Sequence, residues 1–154
     1  MLVAGKTGET KMPMTNQAAI FLPVLALVLL TFVAFLRMGA ARAAVMKGDF
    51  DPEYYKAHLG EPEPAPARAA ARHWDNLFEF PTLFYAACIT AFALGAVGGW
   101  TLAFAWGFAI ARWAQSLVHM THNNPAHRGL AFVLGIVLCM ALWINVAISI
   151  FRIL

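Results

Sequence analysis

An arginine, a carboxamide and a carboxylate recur at helical spacing in the stretch Arg72-His73-Trp74-Asp75-Asn76-Leu77-Phe78-Glu79-Phe80-Pro81. On a helix, positions 72, 76, 79 and 83 fall within a narrow arc, so Arg72, Asn76 and Glu79 share one face. Such groups are costly on an apolar helix in a bilayer. They turn toward a bundle interior or a watery cavity, and they mark a functional site by default. A second stripe, Arg112, Ser116, His119 and Asn123 with Gln115 on its flank, repeats the pattern. Arg112 lies deep in an apolar run and needs a partner. Glu79 is the expected one, because an unpaired buried charge costs several kcal/mol.

Each of these residues also has a structural reading. Arg112 with Glu79 serves equally well as an interhelical strut, and Asn76 as a hydrogen-bonded packing residue. His73 and Asp75 read as solvated near the membrane interface, His122 and His127 as wet turn residues, and Asn145 as interhelical glue. A metal centre is disfavoured. His119, His122 and His127 are near one another in sequence, but zinc needs three or four convergent ligands and no cysteine is close. Cys88 and Cys139 each sit inside an apolar run and read as structural thiols. The chain has no G-x-S-x-G element and no Gly-rich phosphate loop.

The elements that must carry these stripes are membrane helices. Of 154 residues, 61% are hydrophobic and only 12% charged, against roughly 25% charged in soluble domains. The net charge of +3 is spread out, with no basic patch of the kind that binds nucleic acid. Residues 1–16 are polar and aperiodic and read as a mobile tail, with Met14 standing as an alternative start. Residues 18–36 carry no charge and reach the ~20 residues that cross a bilayer core, longer than the ~7–15 of a signal-peptide core. Residues 37–65 form a hydrophilic segment with a helix start at Asp51-Pro52-Glu53. A second span is predicted from Pro66 to Leu94, a tight turn at 95–99, a third span over 100–121, a break at Asn123-Asn124-Pro125, and a fourth span over 126–151. The fold class is therefore all-α, an integral membrane four-helix bundle over residues 17–154. The Lys/Arg bias puts 37–65 and 122–128 in the cytoplasm and both termini outside it.

Taken together, these residues resemble the MAPEG family, the membrane-associated proteins of eicosanoid and glutathione metabolism, and its bacterial members in particular. The resemblance rests on four spans with a hydrophilic first loop and on Arg72, Asn76, Glu79 and Pro81 in the second span. In the third span it rests on Arg112, a polar residue seven positions on, and Arg128 after a Pro-containing turn. It implies a homotrimer in the bacterial inner membrane, with glutathione as thiol co-substrate at subunit interfaces and a small hydrophobic substrate arriving from membrane lipid. Arg72, Asn76 and Glu79, with Arg112, would hold the tripeptide. Arg128 would face its sulfur, with Arg37 or Arg42 of a neighbouring subunit as the second choice. Where family enzymes carry tyrosine on the third span, this chain has His119, and Gln115 at an earlier such position. His119 then takes the place of the hydroxyl donor.

The implied chemistry is thiolate activation. A free thiol has a pKa of about 8.5, and a nearby guanidinium favours the ionised nucleophile. The thiolate would attack a hydrophobic electrophile, as in a transferase, or reduce a hydroperoxide, as in a peroxidase. The family also contains non-catalytic lipid-binding members, which is the alternative. A transporter is disfavoured because no pseudo-symmetric halves or paired broken helices are visible.

Overall fold

The computed structural model describes residues 14–58 and 60–154. The helices, in order, are α1 (Met14–Gln17), α2 (Phe21–Val45), α3 (Tyr54–Ala57), α4 (Ala65–Asn76), α5 (Phe80–Ala93), α6 (Gly99–Met120) and α7 (Pro125–Phe151), with a 3₁₀ turn at Ala18–Ile20. No strand occurs among the described residues. Of the expected mobile tail, residues 1–13 lie outside the described residues, and Met14–Gln17 are helical. The buried Gln17 amide clasps the main chain of Val97, accepting from its N–H at 2.9 Å and donating to its carbonyl at 3.3 Å.

Three helical stretches, Ala18–Val45, Ala65–Ala93 and Pro125–Phe151, are long and apolar enough to cross a membrane. The fourth long helix, α6, has 22 residues but carries Arg112, Gln115, Ser116 and His119. All four side chains are buried in the bundle, so the polarity that lowers its hydropathy faces inward. The apolar side chains of α2 (Leu25, Leu29, Phe32) and α7 (Val133, Val137, Ile144) face outward, as a lipid-facing surface requires. The protein is a helical membrane bundle.

Helix ends follow local chemistry. Gly95, at φ 63°, ends α5 in the left-handed region, and the Ala96 N–H returns to the Ala91 carbonyl at 2.9 Å. Asn124 caps α7, its side chain accepting from the Ala126 N–H at 2.9 Å, with Pro125 in the first turn. The first apolar helix runs past Arg37 and Arg42 to Val45, because Ala40, Ala41, Ala43 and Ala44 are strong helix formers. The hydrophilic segment is correspondingly shorter. Within it, Glu63 is buried between Arg42 (3.4 Å) and the Tyr55 hydroxyl, which donates at 2.7 Å.

The core centres on Phe84 of α5 stacked on Phe108 of α6, ring centroids 4.6 Å apart. Gly107 lets α6 approach α7: a Cβ there would meet Leu138 at 3.2 Å. Thr101 donates to Asn145 at 2.8 Å, so Asn145 joins α7 to α6. Trp113 donates to the Ala26 carbonyl at 3.0 Å and Trp143 to that of Leu83 at 3.1 Å, fastening α6 to α2 and α7 to α5.

The second span differs from expectation. It is two helices, interrupted at Leu77–Glu79, where Glu79 has φ −79° and ψ −95°. Pro81 explains the interruption. It lacks an N–H, and its ring would collide with the carbonyl four residues earlier, that of Leu77, so it begins α5 and does not continue α4. Arg72, Asn76 and Glu79 therefore do not share one continuous helical face.

Candidate functional site

The interruption leaves carbonyl oxygens at the end of α4 without helical partners. Arg112 supplies one. From α6 its guanidinium donates to the Asn76 carbonyl oxygen at 2.7 Å, to Asn76 Oδ1 at 2.9 Å and to Gln115 Oε1 at 2.6 Å. Gln115 Nε2 also donates to Asn76 Oδ1, at 3.3 Å. Asn76 Nδ2 is left free to donate to Glu79 Oε2 at 3.1 Å. The cation lies at a helix C-terminus, where the macrodipole favours it. The far side of Arg112 packs on α7, its Cδ beside Gly135 and its Cζ 5.8 Å from the Phe132 ring centroid.

This arrangement corrects the expected Glu79–Arg112 ion pair. Among the described residues, the acid–base pairs in contact are Arg42–Glu63 and Lys56–Glu53. Glu79 is exposed and reaches Arg112 only through Asn76. Neutral amides and a main-chain carbonyl serve the two terminal nitrogens of the buried cation instead, and Nε is left without a partner among the described residues, because the helix break delivers both Asn76 acceptors to one guanidinium nitrogen.

Above this network is a cleft of about 430 Å³ lined by Arg72, Asp75, Asn76, Glu79, Gln115, His119, Pro125, Arg128, Gly129 and Phe132. Its size falls within the ~300–1,000 Å³ of small-molecule sites. Arg72, Asn76, Glu79, His119 and Arg128, all singled out from the sequence, thus border one cavity. Arg112 does not line it; it lies beneath and holds Asn76. Arg37, on α2, does not line it within this chain either. Asp75 and Phe132 were missed as site residues. Asp75 is three residues after Arg72 and Phe132 four after Arg128, so helical spacing from either arginine would have found them.

Each wall has a local cause. α4 ends at Asn76, so Arg72, Asp75 and Asn76 project from its last turns. The end of α6 contributes His119, whose ring lies 4.9 Å from the His73 ring. His73 itself is buried behind the cleft, bonded to Ser116 Oγ at 2.8 Å, and not solvated as expected. On the α6–α7 turn, Asn123 adopts a left-handed conformation (φ 48°) and accepts from Arg128 at 2.7 Å, fixing the guanidinium at the rim. Two guanidiniums and two carboxylates around one cavity match a small ligand that carries both signs of charge. A Phe132 edge and an amide pair complete the lining. No group of three or more His, Cys, Asp or Glu suited to a metal ion occurs among the described residues.

A second, apolar groove of about 540 Å³ runs between α2 and the α4–α5 stretch, lined chiefly by Phe32, Phe35, Trp74, Leu77, Phe78 and Tyr85. Trp74 and Phe78 border this groove, Asp75 and Glu79 border the cleft, and the four meet in a shallow depression between the two.

No curated protein and no solved structure matches the chain. Residues 20–148 match the MAPEG family, a span that takes in α2 to α6, α7 as far as Ile148 and every residue of the cleft, and the chain therefore belongs to that family.

Proposed function

We propose that the cleft binds glutathione and that the protein is a glutathione-dependent transferase or peroxidase acting on hydrophobic electrophiles. The observation that carries this reading is the convergence of Arg72, Asn76, Glu79, His119 and Arg128 on one cavity at the edge of a membrane bundle. Glutathione carries two carboxylates, an ammonium group and a thiol. Arg72 with Asn76 suits a carboxylate, Asp75 and Glu79 suit the ammonium, and Arg128 is the cation for the sulfur, with His119 as a hydrogen-bond donor to the thiolate. Arg112 acts through Asn76 and does not touch the ligand. The neighbouring apolar groove suits the electrophile, which reaches it from the bilayer.

The functional unit in this reading is a homotrimer in the bacterial inner membrane. Cleft and groove lie at subunit boundaries, Arg37 is supplied by the adjacent subunit, and both termini lie outside the cytoplasm. Native mass spectrometry from detergent should give three chains, and monomers alone would remove the shared site. The direct test is calorimetric titration of the purified trimer with glutathione, read together with thiolate absorbance. Binding in the millimolar range or tighter, with a thiolate signal near neutral pH, is expected. A folded trimer that takes up no glutathione at millimolar concentration overturns the enzyme reading.

That outcome would favour the second reading, a non-catalytic lipid-binding protein. The specific feature in its support is the apolar groove, which has the lining an acyl chain requires. Retention of phospholipid or fatty acid through purification, lost on Phe78→Asp, would establish it.

A further inference from the structure

Next to the cleft, at the start of α4, is a smaller recess of about 300 Å³ lined by Ala65, Arg68, Ala69, Arg72 and Asn123. Arg72 lines both spaces, so the recess adjoins the cleft. Ala65 and Ala69 contribute only methyl groups and leave the space open. No carboxylate lines it, and among the described residues neither Arg68 nor Arg72 is in an ion pair. Asn123 borders the recess from the α6–α7 turn. Its Oδ1 accepts from Arg128 at 2.7 Å, and because a guanidinium only donates, the carboxamide is oriented with Nδ2 left to donate.

We propose that Arg68 and the Asn123 amide form a second carboxylate subsite, which holds the glycyl end of glutathione and makes the site selective for thiols that carry an anion there. The assignment rests on the reading of the cleft as a glutathione site. At the γ-glutamyl end, carboxylate and ammonium share one carbon, which suits Arg72 and Asn76 beside Asp75 and Glu79. Arg128 is committed to the sulfur. The glycyl carboxylate, at the far end of the tripeptide, finds no further cation within the cleft, and Arg68 is the next one along α4. A guanidinium and a carboxamide N–H pair are donors that the two oxygens of a carboxylate accept from.

The dimensions agree with this placement. Arg68, Arg72 and Asp75 are spaced i, i+4 and i+7 and form one stripe of α4. From Arg68 to Asp75 the helix rises about 10.5 Å. Three extended residues span about 10–11 Å. A tripeptide laid along the stripe with its ammonium at Asp75 therefore brings its last carboxylate level with Arg68. There the start of α4 adds the positive end of its helix dipole, which favours an anion. Asn123 contacts Arg128 and lines the recess, so the sulfur's cation and the glycyl subsite are neighbours.

The test is calorimetric titration of the purified full-length protein with two thiols, glutathione and its analogue with the glycyl carboxylate converted to the amide. The unaltered protein should bind glutathione about tenfold more tightly than the amide, a comparison that needs no variant. Arg68→Ala should weaken glutathione about tenfold, leave the affinity for the amide unchanged, and keep the thiolate absorbance at saturating glutathione. Arg68→Lys should recover part of the loss. Arg68 is exposed, so circular dichroism should show both variants folded. Equal affinity of the unaltered protein for the two thiols, no weakening in Arg68→Ala, or equal weakening toward both thiols overturns the subsite and leaves the glutathione reading in place. Failure of the unaltered protein to bind either thiol overturns both.

Discussion

Arg112 donates to the main-chain carbonyl of Asn76 at 2.7 Å, from one membrane helix to the broken end of another. The contact ties three facts together. Pro81 stops α4 from continuing into α5, the break exposes the Asn76 carbonyl, and the only long buried cation of α6 is positioned to satisfy it. The same guanidinium orients the Asn76 side chain toward Glu79 and so shapes one wall of the cleft.

Arg112→Leu should therefore destabilise the bundle by about 1–3 kcal/mol for each acceptor left buried without a donor. Arg112→Lys should recover only part of this, because one ammonium cannot reproduce the fork that reaches Asn76 and Gln115 together. Glu79→Gln should have a small effect, since the exposed side chain still accepts from Asn76. Double-mutant cycles by thermal unfolding should show Arg112 strongly coupled to Asn76, and nearly additive with Glu79.

In the cleft, Arg72→Ala should weaken glutathione binding by roughly 1.5–3 kcal/mol, the range for a hydrogen bond to a charged group. Arg128→Ala should leave much of the binding but abolish the thiolate signal. Asn123→Ala removes the acceptor that holds Arg128 and should reduce that signal without eliminating it. Equal losses of binding in all three variants would show that the assignment of Arg128 to the sulfur is wrong.

Phe78 borders the apolar groove and is half exposed at the helix break. Phe78→Ala should raise KM for a hydrophobic electrophile several-fold, with glutathione affinity unchanged. That separation is expected because groove and cleft share only the depression between them. A parallel loss of both affinities would instead indicate that the break itself had collapsed.

The loop between the first two spans has its own titration. Burial, then the hydrogen bond to the Glu63 carboxylate, raise Tyr55 above the ordinary phenol value of about 10. The native state thus holds the phenolic proton more tightly than the unfolded chain. The resulting stabilisation is present below the unfolded-state pKa and is lost as pH rises through the folded value. Tyrosinate absorbance should show a late-ionising component that disappears in Tyr55→Phe, and Glu63→Gln should bring that component back toward the ordinary phenol value. An unchanged titration in that variant would mean that Glu63 plays no part.

Much of this protein is determined by local composition. Four long helical segments, the hydrophilic first loop, and turns at Gly95 and Asn123-Asn124-Pro125 follow from apolar run length and from residues that cannot continue a helix. Helical spacing also identified Arg72, Asn76, Glu79 and His119 as polar groups needing an interior, because such groups on an apolar helix are too costly to leave in lipid, whereas Arg128 came from the family resemblance alone. Tertiary structure decided which groups meet. A period of 3.6 residues cannot reveal that Pro81 breaks the second span, so Arg112 appeared to need a carboxylate when a freed carbonyl and an amide were its partners. Nor can it show that His73 turns inward to Ser116 while Asp75, two residues on, faces the cleft. Such pairings depend on the rotation and depth of separate helices, which are set by contacts such as Phe84 on Phe108 and Leu138 against Gly107, each between residues far apart in the chain.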